Sequence, residues 1–297
     1  QAARRAMGRV GAFLPVTFTE TPSAGAQRDA VGRLERAGYR CAWTNEVTGK
    51  DAFVQLAVLL AATERMVFGT GVANIWVREP QTASAAAAQL AQAYPGRFVL
   101  GLGVGYPQQA ASTGRDFGRP LATMRDYQSR MGEQTWPPRP DAAHPRIIAA
   151  NGPKMLALAA ETADGALPAS LPPEHTALAR QVLGPYKLLV VGLSVVADPD
   201  PVRARDVARQ TVATSLRSPA YAKAIASLGY AATEITDVAD RLVDAIVGHG
   251  HPDAIAGKVR AHLAAGADHV MVMMPGGDFA GGVEHLETLA PMLLAVG

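Results

Sequence analysis

The chain has 297 residues, enough to bury a large hydrophobic core without disulfides or metals. Hydrophobic residues make up 48% and charged residues 18%, a balance that excludes a disordered chain. The formal net charge is +2 and the basic residues are scattered along the chain, so we expect no nucleic-acid partner.

Cysteine usage and hydropathy indicate the compartment. Cys41 is the single cysteine, which excludes a disulfide framework and a CxxC metal site. No run of about 18 apolar residues is present, so no membrane span is expected. Arg4 and Arg5 are not followed by the long apolar stretch of a signal peptide. We therefore expect a soluble cytoplasmic protein with no membrane partner.

Short apolar runs alternate with helical patterns along the first half of the chain. The strands are predicted over residues 9–14, 39–44, 66–72 and 97–102. The helices between them are predicted over residues 24–37, 52–63 and 80–93. This alternation favours parallel strands joined by helical crossovers.

The second half repeats the pattern. Four further strands are predicted over residues 146–150, 165–168, 187–197 and 268–274, and helices over 120–134, 154–163, 173–183 and 282–296. Residues 199–251 are too long for one crossover and contain three amphipathic patterns, at 201–215, 220–228 and 237–247. We predict one α/β domain over residues 1–297, a (β/α)8 TIM barrel with a helical insertion between the seventh and eighth strands.

Two successive strands end in glycine-rich segments. One segment runs from Thr70 to Asn74 and the other from Gly101 to Gly105. The second is not a Rossmann fingerprint, because its third glycine is misplaced and Tyr106 with Pro107 is not expected to open a helix. Either segment could be a tight turn. The functional alternative is a bare strand end on which a flat ring lies.

A third junction carries a different signal. Asn151-Gly152-Pro153-Lys154 follows the fifth predicted strand and precedes a helix. The exposed N–H groups and positive end of such a helix can bind a phosphate. An ordinary capped turn is the alternative, and the sequence leaves both open.

Three polar or aromatic residues follow the second and third strands. Glu46 is predicted to point into the barrel mouth, where it could orient a substrate or act in acid–base chemistry. The alternative for Glu46 is a structural ion pair with an arginine. Arg78 and Trp76 could bind an anion and stack on a substrate ring, or form a solvated loop with a packed tryptophan.

Several chemistries lack their motifs. There is no GxSxG elbow for a nucleophilic hydrolase and no Walker A lysine for a nucleotide. The seven histidines show no metal-ligand spacing, so no metal is expected.

The chain resembles the luciferase-like monooxygenase superfamily, and within it the deazaflavin (coenzyme F420)-dependent oxidoreductases. The matching stretches are RAGYRCAWTNE, LAATERMVFGTGVANIWVREP, AYPGRFVLGLGVGYP, RPLATMRDY, PRIIAANGPKMLALAAETADGALP and AGADHVMVMM. The resemblance implies a flavin-like ring at the strand ends, an insertion that helps to cover the barrel mouth, and a homodimer. It also implies a cis peptide at Gly71–Val72 behind the ring and phosphate-binding backbone at 103–106 and 151–153.

The residues predicted to hold this cofactor form one set: Asn45, Gly71, Val72, Ala73, Gly103, Val104, Gly105, Tyr106, Asn151, Gly152 and Pro153. Two departures concern proton transfer. Some relatives carry a histidine after the acid that matches Glu46, where this chain has Val47, and a glutamate where it has Tyr106. Oxidation of a sugar phosphate is therefore not expected. Glu46 and Tyr106 remain the predicted catalytic residues.

The resulting hypothesis is an enzyme that transfers a hydride between coenzyme F420 and a small organic substrate. The first alternative is an FMN-dependent monooxygenase that uses reduced flavin and O₂. The second is a cofactor-binding protein without turnover. The substrate and the direction of hydride transfer are left open by the sequence.

Overall fold

A computed structural model describes residues 2–17 and 20–296 of the chain. Its strands are β1 (Val10–Phe13), β2 (Cys41–Thr44), β3 (Val67–Thr70), β4 (Ala73–Asn74), β5 (Phe98–Gly103), β6 (Arg146–Ala149), β7 (Gly165–Leu167), β8 (Leu188–Ala197), β9 (Gly248–Gly250) and β10 (His269–Met273). Its helices are α1 (Ala2–Met7), α2 (Ala24–Arg36), α3 (Ala52–Ala61), α4 (Pro80–Ala93), α5 (Pro107–Ser112), α6 (Pro120–Met131), α7 (Pro153–Thr162), α8 (Pro173–Leu183), α9 (Pro201–Leu216), α10 (Pro219–Ala226), α11 (Ala232–Thr236), α12 (Asp240–Ile246), α13 (Pro252–Ala264) and α14 (Phe279–Leu294).

Eight parallel strands close into a barrel. Their order is β10-β1-β2-β3-β5-β6-β7-β8, and β8 pairs with β10 to close the ring. Val270 of β10 lies opposite Val10 of β1 and beside Val191 of β8. Each of these strands falls within one of the eight predicted strand segments or extends past it by one residue. The predicted (β/α)8 barrel is confirmed.

Two short strands were not predicted. β4 continues the path of β3 after the Gly71–Val72 bond and pairs with β5, so Ala73 lies opposite Leu102. β9 follows α12 and pairs with the far end of β8. Both are two or three residues long, too short for a periodic pattern to show in the sequence.

Side chains fill the barrel interior below the mouth. Trp43 and His269 are fully buried there, and the Trp43 indole donates to His269 Nε2 at 3.0 Å. Gly69 makes this possible, because a Cβ at that position would lie 2.2 Å from the Trp43 ring. A Cβ on Gly11 would likewise lie 2.5 Å from Nε2 of the His269 ring, so Gly11 leaves room for that side chain. The interior is therefore a packed core.

The insertion between β8 and β10 consists of α9, α10, α11, α12 and β9. It has its own apolar core, which includes Ala208, Val212, Leu242 and Ile246. The three predicted helices correspond to α9, α10 and α12, and α11 was not predicted. Tyr221 of α10 donates its hydroxyl proton to the carbonyl oxygen of Ser170, which ties the insertion to the loop after β7.

One local prediction is wrong. Tyr106 is the N-cap of α5, so the helix does begin at Pro107. Proline suits the first helical position because its missing N–H would have no helical acceptor there. The Gln109 side chain completes the start by accepting the Tyr106 N–H at 2.9 Å. Across the described residues, none of the helices is long and apolar enough to span a membrane.

Candidate active site

The carboxyl ends of the parallel strands meet at one rim, and the glycine-rich segments lie there. The Gly71–Val72 peptide is cis, as the resemblance predicts. Val72 packs against β5, because a Cβ on Gly103 would lie 2.3 Å from Val72 Cγ2. The β3 and β5 ends are therefore in direct contact, and the lack of a side chain at Gly103 allows this close approach.

The seam between these strands is held by Thr70. Its hydroxyl donates to the Gly101 carbonyl at 2.7 Å and accepts the Gly101 N–H at 2.8 Å. Thr70 is fully buried, so both bonds lie out of water. These two hydrogen bonds fix the position of the β3 end relative to the β5 end.

Apolar side chains form a floor under the mouth. A Cβ on Gly71 would lie 3.2 Å from Met271 Sδ and 3.3 Å from the Phe13 ring. A Cβ on Gly192 would lie 3.2 Å from Met271 Cε and 3.3 Å from Met273 Cε. We call Phe13, Met271 and Met273 the methionine floor. It is an apolar, polarisable surface of the kind that contacts an aromatic ring.

Glu46 is not open to the mouth. Its side chain is 2% exposed and receives four hydrogen bonds. Arg78 donates to both carboxylate oxygens, at 2.6 and 2.8 Å, and the backbone N–H groups of Ala52 and Asn74 donate at 3.2 and 2.9 Å. The ion pair that the sequence left open as the alternative is present. The predicted acid–base role of Glu46 stays a prediction.

The two predicted substrate contacts are also engaged. Arg78 bonds Asp51 at 2.7 Å as well as Glu46, and its guanidinium lies 4.5 Å from the centre of the Phe53 ring. Trp76 is 5% exposed and its indole donates to the Val104 carbonyl at 2.7 Å. Both residues brace the loops around the mouth. Their substrate role stays a prediction.

Lys50 was missed by the sequence analysis. Its ammonium donates to Thr44 Oγ1 at 3.0 Å and to Asn45 Oδ1 at 2.8 Å, at the carboxyl end of β2. Burial lowers the pKa of Lys50 to about 8, although the nearby Glu46 charge acts in the opposite direction. A lysine just after a strand end, in a chain with only five lysines, was the available signal.

Asn151 uses its side chain for structure. Its Oδ1 accepts the Ala169 N–H at 3.0 Å and its Nδ2 donates to the Ala169 carbonyl at 3.2 Å. Gly152 is the N-cap of α7 and has open space where a Cβ would be. Over the described ranges, the N–H groups of Gly152 and Lys154 have no protein acceptor. The structure thus offers backbone donors at this helix start.

Tyr106 lies at the rim beside the insertion. It is 60% exposed, and its phenol adds to the effect of burial in raising the pKa of Tyr221. Among the other predicted cofactor residues, Ala73 pairs with β5, Val104 and Gly105 follow β5, and Asn45 bonds Lys50. The predicted cofactor residues lie at or just after the ends of β2, β3, β5 and β6, except Ala73, which is in β4. Their contacts with a cofactor stay a prediction.

Comparison with known proteins gives a family. The family model described as luciferase-like monooxygenase matches residues 7–269. The Mycobacterium tuberculosis protein named "Putative coenzyme F420-dependent oxidoreductase" is 32% identical over 175 residues, which cover 47% of this chain and 50% of that protein. The chain thus spans about half the length of the curated relatives it matches.

Solved structures share the fold over nearly the whole chain. An F420-dependent secondary alcohol dehydrogenase, in complex with an F420-acetone adduct, superposes with a TM-score of 0.72. Its identity is 16%, and the match covers 96% of this chain and 98% of that one. The oxygenating constituent of 3,6-diketocamphane monooxygenase from Pseudomonas putida, in complex with FMN, has a TM-score of 0.70 at 14% identity, with 97% and 98% covered. At these identities the likeness shows the fold alone.

Proposed function

Because the chain belongs to the luciferase-like monooxygenase family, we propose that it is an oxidoreductase that transfers a hydride between coenzyme F420 and a small organic substrate. The site is the carboxyl-end mouth of the barrel. The names of the relatives support this choice, since an oxidoreductase and an alcohol dehydrogenase among them are described as F420-dependent.

The apolar mouth is the observation that carries the proposal. Bare strand ends at Gly71 and Gly103 lie beside the methionine floor, and Met271 reaches both β3 and β8. A flat ring needs such a surface, with backbone close to one face and no charged side chain beneath it. Glu46 and Arg78 neutralise each other within the rim.

The start of α7 supplies the second half of the site. The N–H groups of Gly152 and Lys154, which find no protein acceptor among the residues that the structure describes, and the positive end of the helix suit a phosphate. A ring on the floor and a phosphate on α7 together describe a phosphorylated flavin-type molecule. The coenzyme supplies the hydride when bound.

Reduction of a carbonyl or imine also requires a proton. Lys50 can release one near neutral pH, because its pKa is about 8. The exposed phenol of Tyr106 is the other candidate at the rim. Glu46 acts in this proposal as a positioning residue that holds Arg78 and the N–H of Asn74. The homodimer expected from the resemblance stays a prediction.

A binding titration tests the proposal. Purified protein is titrated with oxidised coenzyme F420 and separately with FMN, and fluorescence quenching is recorded. Saturable binding of F420, weakened by Gly103→Ala because the new Cβ displaces Val72, supports the proposal. Gly257→Ala is the control, since the nearest atom to its new Cβ, on Arg260, is 3.8 Å away.

The other outcomes overturn the proposal in distinct ways. Tight binding of FMN alone, with O₂ consumption by the reduced complex, assigns the chain to the FMN-dependent monooxygenases. Binding of F420 without hydride exchange with any donor or acceptor indicates a cofactor-binding protein. Binding of neither molecule removes the assignment.

A further inference from the structure

A buried histidine lies directly behind the α7 donors. His175 of α8 is 3% exposed, and its Nε2 lies 2.8 Å from the carbonyl oxygen of Asn151. A carbonyl oxygen can only accept, so Nε2 carries the proton and donates. The Asn151 side chain is fixed separately by its two bonds to Ala169. Asn151 is therefore held at three atoms.

The held carbonyl belongs to the same peptide unit as the Gly152 N–H. A trans peptide is planar, and its C=O and N–H point in opposite directions. Fixing the Asn151 oxygen on His175 therefore fixes the direction of the Gly152 N–H, away from His175. At the start of α7, this N–H and that of Lys154 have no protein acceptor in the described part of the chain. His175 thus fixes the direction in which the Gly152 N–H points.

The second ring nitrogen of His175, Nδ1, reduces the stability of the fold because it is buried without a hydrogen bond among the described residues. His175 Nδ1 is buried without a hydrogen-bond partner among the described residues, as is Nε2 of the neighbouring His262. An apolar residue would avoid the unpaired nitrogen. Burial also lowers the pKa of His175, which keeps the ring neutral with a single N–H. That N–H is committed to Asn151.

We propose that His175 is a positioning residue of the phosphate subsite, which orients the Asn151–Gly152 peptide so that the Gly152 N–H binds a phosphate of the cofactor. The inference rests on the proposed function in that the phosphate belongs to a phosphorylated flavin-type molecule. It needs no choice between coenzyme F420 and FMN, because both carry a phosphate on the same side chain.

Substituting His175 by glutamine or by asparagine distinguishes the position of the N–H donor from the size of the side chain. The Nε2 of glutamine can reach the place of the histidine Nε2, whereas the Nδ2 of asparagine corresponds to the histidine Nδ1. We expect His175→Asn to weaken binding of the phosphorylated molecule by about tenfold, the scale of one lost hydrogen bond, and His175→Gln to restore it.

The readout compares ligands with and without phosphate. Dissociation constants are measured for coenzyme F420 and its chromophore without the phosphate, and for FMN and riboflavin. In His175→Asn the phosphorylated member of each pair loses affinity and the unphosphorylated member does not. Equal loss for both members would show a merely structural role and overturn the proposal.

A control variant and a second measurement complete the test. Thr176→Val removes the neighbouring hydroxyl, which bonds His262 at 2.8 Å and does not touch Asn151. It should leave the phosphate preference unchanged; an equal loss in this variant would overturn the proposal.

Amide hydrogen exchange is followed at Ala169 and Leu156, which donate to Asn151 Oδ1 and to the Gly152 carbonyl. Faster exchange in His175→Asn but not in His175→Gln supports the positioning role, and unchanged exchange in both overturns it. If the wild-type chain binds no chromophore, the proposed function fails, and the exchange result still decides whether His175 positions the peptide.

Discussion

Glu46 connects three parts of the rim through its two carboxylate oxygens. It joins the loop after β2 to Arg78, to β4 and to the start of α3. Removing one partner of a buried ion pair leaves the other charge buried and uncompensated, which is strongly destabilising. The residue that the sequence presents as a catalytic candidate is therefore a structural centre of the rim.

Glu46→Gln should lower the free energy of unfolding by about 3 kcal/mol, because it leaves Arg78 without its buried partner. Asp51→Asn is the matched control. Asp51 bonds the same arginine from a side chain that is 48% exposed, and asparagine still caps α3. Asp51→Asn should lower the free energy of unfolding by less than about 1 kcal/mol. Urea unfolding measures both, and equal costs would contradict the difference in burial.

Lys50 carries the second prediction at this scale. Its pKa is about 8 because the ammonium is partly removed from water. Acylation of the five lysines is followed by mass spectrometry from pH 6 to pH 11, with the exposed Lys223 as reference. The rate at Lys50 should reach half its maximum near pH 8. The midpoint of the profile is independent of how accessible the amine is, so a midpoint above 10 would refute the desolvation argument.

At the scale of elements, the β3–β5 contact determines the shape of the mouth. A Cβ on Gly101 would lie 2.0 Å from the Thr70 carbonyl oxygen, a backbone atom that cannot rotate away. The Thr70 hydroxyl also bonds both backbone groups of Gly101. The two strands can approach this closely only while position 101 is glycine.

Gly101→Ala should therefore destabilise the fold by about 2 kcal/mol or more, through strand separation. Gly257→Ala makes the same chemical change inside α13, where space is available, and should stabilise by about 0.5 to 1 kcal/mol. Thermal unfolding measures the stability of both variants relative to the wild-type protein. A neutral Gly101→Ala would mean that the seam can open without cost.

For the whole molecule, we expect buried neutral histidines to reduce stability in acid. Burial lowers the pKa of both His262 and His269 to about 4. Below pH 6.5 these side chains take up protons in the unfolded chain, whereas the native protein takes them up only near pH 4. Their contribution to stability is complete above pH 6.5 and is lost as the pH falls through this window.

A shift of about 2.5 pH units corresponds to about 3 kcal/mol for each histidine. The free energy of unfolding, measured by denaturant titration, should fall steeply between pH 6.5 and pH 4. His262→Leu should flatten the fall, because one of the two groups is removed. His285→Ala, at an exposed position of α14, should leave the slope unchanged. An unchanged slope in His262→Leu would contradict the contribution assigned to His262.

The features that the sequence predicts correctly are those that depend on residues close together in the chain. The alternation of apolar runs and helical patterns predicts all eight barrel strands and the insertion, because these periodicities are local properties of the chain. The glycine-rich strand ends and the Asn151–Lys154 junction are local as well, and the structure places them at one rim, since parallel strands share their direction.

The roles of single polar residues were decided by contacts between distant positions. Glu46 meets Arg78 across 32 residues, and His175 meets Asn151 across 24. The sequence shows that a carboxylate or an imidazole is present, but not what it faces or whether water reaches it. By itself the sequence therefore determined the barrel, the insertion and the place of the mouth. Only the tertiary structure decided that Glu46 is neutralised, that Lys50 is desolvated and that His175 holds a peptide, because hydrogen bonding and burial depend on which elements pack together.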